Sequence, residues 1–102
     1  MDENEKIIVK VDPEIADLIP GFLNNRKKDI EYIESCLEVQ DFEQIERLGH
    51  SMKGSGAGYG FNGISEIGES IEIAGKEKDI EGIKEGIVNL KDYLDRVKIV
   101  NE

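Results

Sequence analysis

The chain reads as an all-α protein: an antiparallel up-down-up-down four-helix bundle with a short extra helix near its N-terminus. Three observations predict this. Apolar residues recur at helical steps in four separate segments, most regularly at Ile80, Ile83, Ile87, Leu90, Leu94 and Val97, the spacing of one buried helix face. Aspartates stand where helices should begin, at Asp12, Asp41 and Asp79, each able to accept a hydrogen bond from an otherwise unpaired first-turn amide. The segments are joined by short loops, which places sequential helices side by side and antiparallel. With 102 residues there is material for one modest core. The expected organisation is an N-terminal extension over residues 1–12 and a bundle domain over residues 13–102.

Taken in order, Ile7 to Val11 is a brief β-prone run with no evident partner, and it stops at Asp12-Pro13, a pairing suited to the N-cap and first position of a helix. Ile15, Leu18, Ile19 and Phe22 give that short helix an apolar side, and Pro20-Gly21 should kink or end it, because proline lacks the amide the ladder needs. A longer helix follows over about Phe22 to Glu38, with Phe22, Ile30, Ile33, Cys36 and Leu37 inward. Arg26 interrupts this stripe, and with Lys27 and Lys28 forms a polar shoulder.

The next helix opens at Asp41, where Gln44 completes a pair resembling a capping box. It should end between Gly58 and Gly60, since each glycine inside a helix costs about 1 kcal/mol relative to alanine. A further helix carries Phe61 or Ile64, Ile67, Ile71 and Ala74 inward and finishes near Gly75, a residue suited to a left-handed cap. Lys76 to Lys78 forms the loop before the last helix, which Asp79 caps.

Composition removes several classes of function. The formal charge of −10, without any basic block, would repel nucleic acid and anionic membrane surfaces. One cysteine and one histidine can build neither an internal disulfide nor a zinc site, so Cys36 is a reduced core side chain and no metal or cofactor is expected on the chain. No run approaches the ~18 apolar residues of a membrane span, and the acidic Met1 to Lys6 start lacks an apolar core of its own, so a soluble cytoplasmic protein is expected.

The single histidine, His50, is the candidate reactive group. At about 100° per residue, Phe42, Ile45, Leu48, Gly49, Met52, Gly56 and Tyr59 share a sector of roughly 120°. His50 lies about 150° from the centre of that buried sector, among Arg47, Lys53, Gly54 and Ala57. The site offers an exposed imidazole, two cations and little bulk. A neutral imidazole can accept a phosphoryl group on a ring nitrogen, Lys53 one turn on can balance its charge, and Arg47 one turn back can assist at longer reach.

Other chemistries fit less well. The run from Gly54 to Gly60 lacks both the Gly-x-Gly-x-x-Gly spacing and a Gly-Lys-Ser/Thr ending. Cys36 points inward and Ser51 and Ser55 point away from His50, so no hydrolase triad converges. The 23 acids are mostly a solvated face, and none stands out as a general acid.

The segment His50-Ser51-Met52-Lys53-Gly54-Ser55, with Gly60 downstream, resembles the His-x-x-Lys-Gly-Ser signature of histidine phosphotransfer (HPt) domains. The likeness extends to Phe22 through Asp29, to the Asp41-Phe42-Glu43 helix start, to Arg47 three residues before His50 and to the Lys76 to Asp79 loop, covering roughly residues 13 to 97. Gly49 stands where alanine is more usual in such domains, and Gly58 and Gly60 thin the end of the same helix.

The resemblance implies a helical bundle that carries phosphate between receiver domains without kinase activity of its own. It makes His50 the phosphoacceptor, Lys53 its charge partner and Gly54 the small position beneath an incoming receiver. Gly49 and Ala57 are expected at the docking face with Gly54, and Arg26, Lys27 or Lys28 are candidates to supply basic groups there. The implied partners are response-regulator receiver domains and a sensor or hybrid histidine kinase, with Mg²⁺ held by the receiver. Two other readings use the same face: a receiver-binding bundle that accepts no phosphate, and the phosphoacceptor domain of a larger histidine kinase.

Overall fold

A computed structural model describes residues 5–101. The elements run β1 (Ile7–Val11), a 3₁₀ helix (Pro13–Leu18), α1 (Ile19–Glu38), α2 (Phe42–Gly58), α3 (Asn62–Lys76), α4 (Ile80–Arg96) and β2 (Val97–Asn101). Four amphipathic helices form the expected antiparallel bundle. A small parallel strand pair joins the two ends of the chain, with Ile7 beside Val97 and Val11 beside Asn101.

The strand pair answers the open question about Ile7 to Val11 and corrects the end of the last helix. Val97 belongs to β2 and not to the α4 seam, because Val97, Ile99 and Val100 are β-branched residues better suited to a pleated strand. Val11 is 1% exposed and joins the helical core, with Ile7, Val9, Val97 and Ile99 packed against it. The core therefore begins before residue 13. Arg96, the last residue of α4, holds Asp92 at 3.0 Å and donates to the Glu5 carbonyl at 3.2 Å, tying the helix end to the opposite terminus.

Proline sets a beginning where the sequence suggested an end. Asp12 caps the 3₁₀ turn by accepting from the Glu14 amide at 2.9 Å, but α1 starts at Ile19, which makes Pro20 its second residue. There the missing amide is one that has no intrahelical partner anyway. Ile19 and Phe22 are buried as expected, whereas Leu18, assigned to the same apolar side, is 54% exposed. Ile80, the first residue of the α4 seam, is also at the surface. Tyr93 and Gly86, which the apolar pattern passed over, are buried in α4.

Asp41 and Asp79 cap α2 and α4, accepting from the Gln44 amide at 3.3 Å and the Gly82 amide at 3.0 Å. The preceding helices all stop with one hydrogen-bond pattern. The Asp41, Phe61 and Asp79 amides reach back to the carbonyls of Cys36, Gly56 and Ala74, and the Gln40, Gly60 and Lys78 amides to those of Leu37, Ala57 and Gly75. This pair of hydrogen bonds needs one left-handed residue. Gln40 (φ 56°), Gly60 (φ 85°) and Lys78 (φ 55°) occupy that position. Gly75 does not take the left-handed role the sequence suggested; it lies inside α3, buried against α2.

Phe61 fills the centre of the core with Ile33, Ile45, Ile64, Ile71, Ile83 and Leu90. The Phe22 ring stands 5.3 Å from the Phe61 centroid and 4.6 Å from that of Tyr59. These contacts bind the start of α1 to the end of α2. Cys36 is buried and free, in the core role expected of it.

Lys78 bears a strain that glycine would relieve. A left-handed residue with a Cβ costs roughly 1–2 kcal/mol, so Lys78→Gly should raise unfolding free energy by about 1 kcal/mol. The check is a higher denaturant midpoint at unchanged slope; an unchanged or lower midpoint contradicts the cap geometry.

Candidate functional site

Helices α2 and α3 meet backbone to backbone, and glycine is the reason. A Cβ at Gly49 would overlap the Glu72 amide nitrogen; one at Gly68 would stand 2.5 Å from the Lys53 nitrogen, and one at Gly56 2.6 Å from that of Ser65. At Gly75 it would meet the Glu46 nitrogen at 2.8 Å. The four residues lie seven apart on each helix, so they return to the same face every two turns. The helices therefore run closer together than side chains would allow.

This contact corrects one expectation directly. Gly49, expected at the docking face, is instead buried between the two helices. Gly54 and Ala57 are exposed on the outer face of α2, and a Cβ at Gly54 would meet nothing within 4 Å.

On that outer face His50 is 73% exposed, as the helical arithmetic requires. Its Nδ1 lies 3.0 Å from Oε2 of Glu72, a half-buried carboxylate on α3. Glu72 is the residue whose amide abuts Gly49, so the glycine contact and the imidazole contact come from one place on α3. Lys53 lies one turn further along α2 and pairs with Glu69 through Nζ and Oε2 at 3.0 Å. Its ammonium is held above its ordinary pKa by the Glu69 hydrogen bond and charge, with Glu72 adding to them. Arg47 pairs within its own helix, with Nη2 2.7 Å from Glu43 Oε1.

Glu43, Glu46, Arg47, His50 and Glu72 surround a shallow concavity of about 410 Å³. The site thus holds two cations and an imidazole, each already facing a carboxylate. Among the described residues no group of three or more His, Cys, Asp and Glu side chains is arranged to hold a metal ion. No described helix is long and apolar enough to cross a membrane.

The basic shoulder of α1 divides. Arg26 reaches α2, donating from Nη1 to Ser55 Oγ at 3.2 Å, but its Nε holds Asp29 at 2.6 Å and its guanidinium lies 4.8 Å above the Phe22 ring. Only 14% of that side chain is exposed, so Arg26 is an interhelical clamp where the sequence showed a break in the apolar stripe. Burial pushes the Asp29 carboxyl above its ordinary pKa, against the lowering pull of Arg26. Lys27 lines a groove between α1 and α4 with Ile30, Lys91, Leu94 and Asp95, away from His50. Lys28 is exposed on α1.

Glu69 and Glu72 are the partners of Lys53 and His50 that sequence reasoning missed. Their three-residue spacing on α3 matches that of His50 and Lys53 on α2, but the sequence does not show which acids face them without the register of the two helices.

Compared with known proteins, the chain matches the family model described as "Hpt domain" over residues 17–99. No curated protein and no solved structure matches it.

The α2–α3 contact gives two glycine substitutions opposite signs. Gly68→Ala should destabilise the fold by about 1–3 kcal/mol, since backbone on the facing helix must move. Gly54→Ala should stabilise it by up to about 1 kcal/mol, since it gains helix propensity in open space. Thermal and denaturant unfolding of both variants checks this, and a wild-type melt for Gly68→Ala contradicts the backbone contact.

Proposed function

The chain belongs to the Hpt domain family, which serves histidine phosphotransfer in two-component systems, and from that premise we propose that His50 accepts a phosphoryl group from a receiver-domain aspartate and passes it on in a multistep phosphorelay. The observation that supports this most strongly is the setting of one ring. Nδ1 of His50 is engaged by Glu72 while the side chain stays largely in solvent. A carboxylate only accepts, so in the neutral ring the proton sits on Nδ1 and Nε2 keeps its lone pair.

In the transfer, Nε2 attacks the phosphorus of the aspartyl phosphate in line. The N–P bond forms as the P–O bond breaks, and the aspartate carboxylate leaves with the bonding pair. No proton has to move. The positive charge acquired by the ring is met by Glu72 through the Nδ1–H bond, which also fixes the ring plane. Such chemistry asks chiefly for positioning and charge stabilisation. Lys53, one turn away on the same exposed face, binds the phosphoryl oxygens, and Arg47 assists once released from Glu43. Onward transfer is the same displacement with a second receiver's aspartate as nucleophile.

Gly54 and Ala57 leave low relief beside His50, which favours approach of a receiver's phosphorylated loop. In this scheme Mg²⁺ would be held by the receiver and would supply charge stabilisation for the phosphoryl group there. The chain is then a transfer intermediate without kinase activity, acting in the cytoplasm as a monomer between receiver domains and a sensor or hybrid histidine kinase.

The test is transfer of labelled phosphate from phosphorylated receiver domains, with Mg²⁺, onto wild-type protein and His50→Gln. Acid-labile, base-stable label on the wild type alone is the expected result. Receiver binding without label on the wild type would favour the non-catalytic interaction bundle instead. For Lys53→Ala, loss of one charged hydrogen bond should slow transfer by about 10- to 150-fold with the melting curve unchanged; equal rates would remove Lys53 from the mechanism.

A further inference from the structure

The phosphoryl-binding lysine is already occupied. Lys53 Nζ sits 3.0 Å from Glu69 Oε2, and that carboxylate is presented by the residue next to Gly68, whose backbone packs against the Lys53 amide. The pairing follows from one of the close backbone approaches between α2 and α3 and is not a chance meeting of long side chains. A phosphoryl group adds nearly two negative charges, so it and the Glu69 carboxylate are rivals for one ammonium. Glu69 is half exposed, and exposed pairs are weak. It can therefore be displaced, but at a cost that every phosphorylation of His50 meets.

Resting on the phosphoacceptor role proposed for His50, we infer that Glu69 competes with the phosphoryl group for Lys53 and so lowers the share of phosphate that resides on His50 relative to a receiver aspartate. Glu69 touches neither reacting atom and acts only through Lys53. Glu72 has a different part, since it faces Nδ1 of His50, where it meets the positive charge that the ring acquires on phosphorylation. The two acids of α3, three residues apart, thus pull in opposite directions: one supports the phosphorylated imidazole and the other withholds its cation. A poorly held phosphoryl group suits a relay, which must hand on what it receives.

The experiment measures the equilibrium of phosphate between this protein and one phosphorylated receiver domain, for wild type, Glu69→Gln, Lys53→Gln and the double variant. The equilibrium constant between the free species does not depend on how tightly the two proteins dock, so altered docking cannot mimic the effect. Glu69→Gln should shift the equilibrium constant toward His50 by about two- to fivefold, the range of an exposed ion pair. The gain should shrink in high salt and disappear in the Lys53→Gln background.

An unchanged equilibrium in Glu69→Gln overturns the inference while leaving His50 as acceptor. A gain that persists without Lys53 overturns it as well, since Glu69 would then act by another route. If the wild type takes no label from the receiver or from phosphoramidate, the acceptor role itself fails, and the inference falls with it.

Discussion

The contact of Gly49 with the backbone at Gly68 and Glu72 is the constraint from which the site follows. Helices separated by ordinary side chains lie about 8–10 Å apart, and long glutamates reaching across such a gap would adopt many conformations. Here the backbones touch, so Glu72 meets the imidazole directly and Glu69 meets Lys53. The geometry of the exposed face is set by atoms buried beneath it. Glycine weakens each helix locally, and the antiparallel packing it permits offsets that weakness.

Charge distribution follows the same plan. The chain is strongly acidic, yet the face around His50 is organised by pairs: Arg47 with Glu43, Lys53 with Glu69 and the imidazole with Glu72. Exposed pairs contribute little to stability, so their importance lies in which groups they hold ready and which they keep engaged. Arg26 shows the contrast. Stacked on Phe22 and bonded to Asp29 and Ser55, it is largely removed from water and fixes α1 against α2.

Much of the scaffold was legible in the sequence because its signals are local. Asp41 and Asp79 cap helices within their own first turns, and the seam at Ile83, Ile87 and Leu90 follows from periodicity alone. The failures fall where a distant partner decides. Val97 reads as helix until Ile7 is beside it, and Pro20 reads as a break until the chain before it is seen to turn in a 3₁₀ helix. Gly75 reads as a cap until Glu46 is found against it, while Lys78 takes the left-handed position without being glycine.

By itself the sequence determined the four amphipathic helices and their order, and placed His50 on an exposed face with Lys53 one turn away. Those properties depend on the 3.6-residue period and on bonds between near neighbours. Only the tertiary structure decided that Gly49 is buried, that the chain ends pair as parallel strands, and that Glu72 and Glu69, out of 23 acids, are the ones facing His50 and Lys53. The physical reason is register: α2 and α3 could slide past one another by a turn and keep their apolar faces together, and the interlocking of Gly49, Gly56, Gly68 and Gly75 with the opposite backbone selects one alignment.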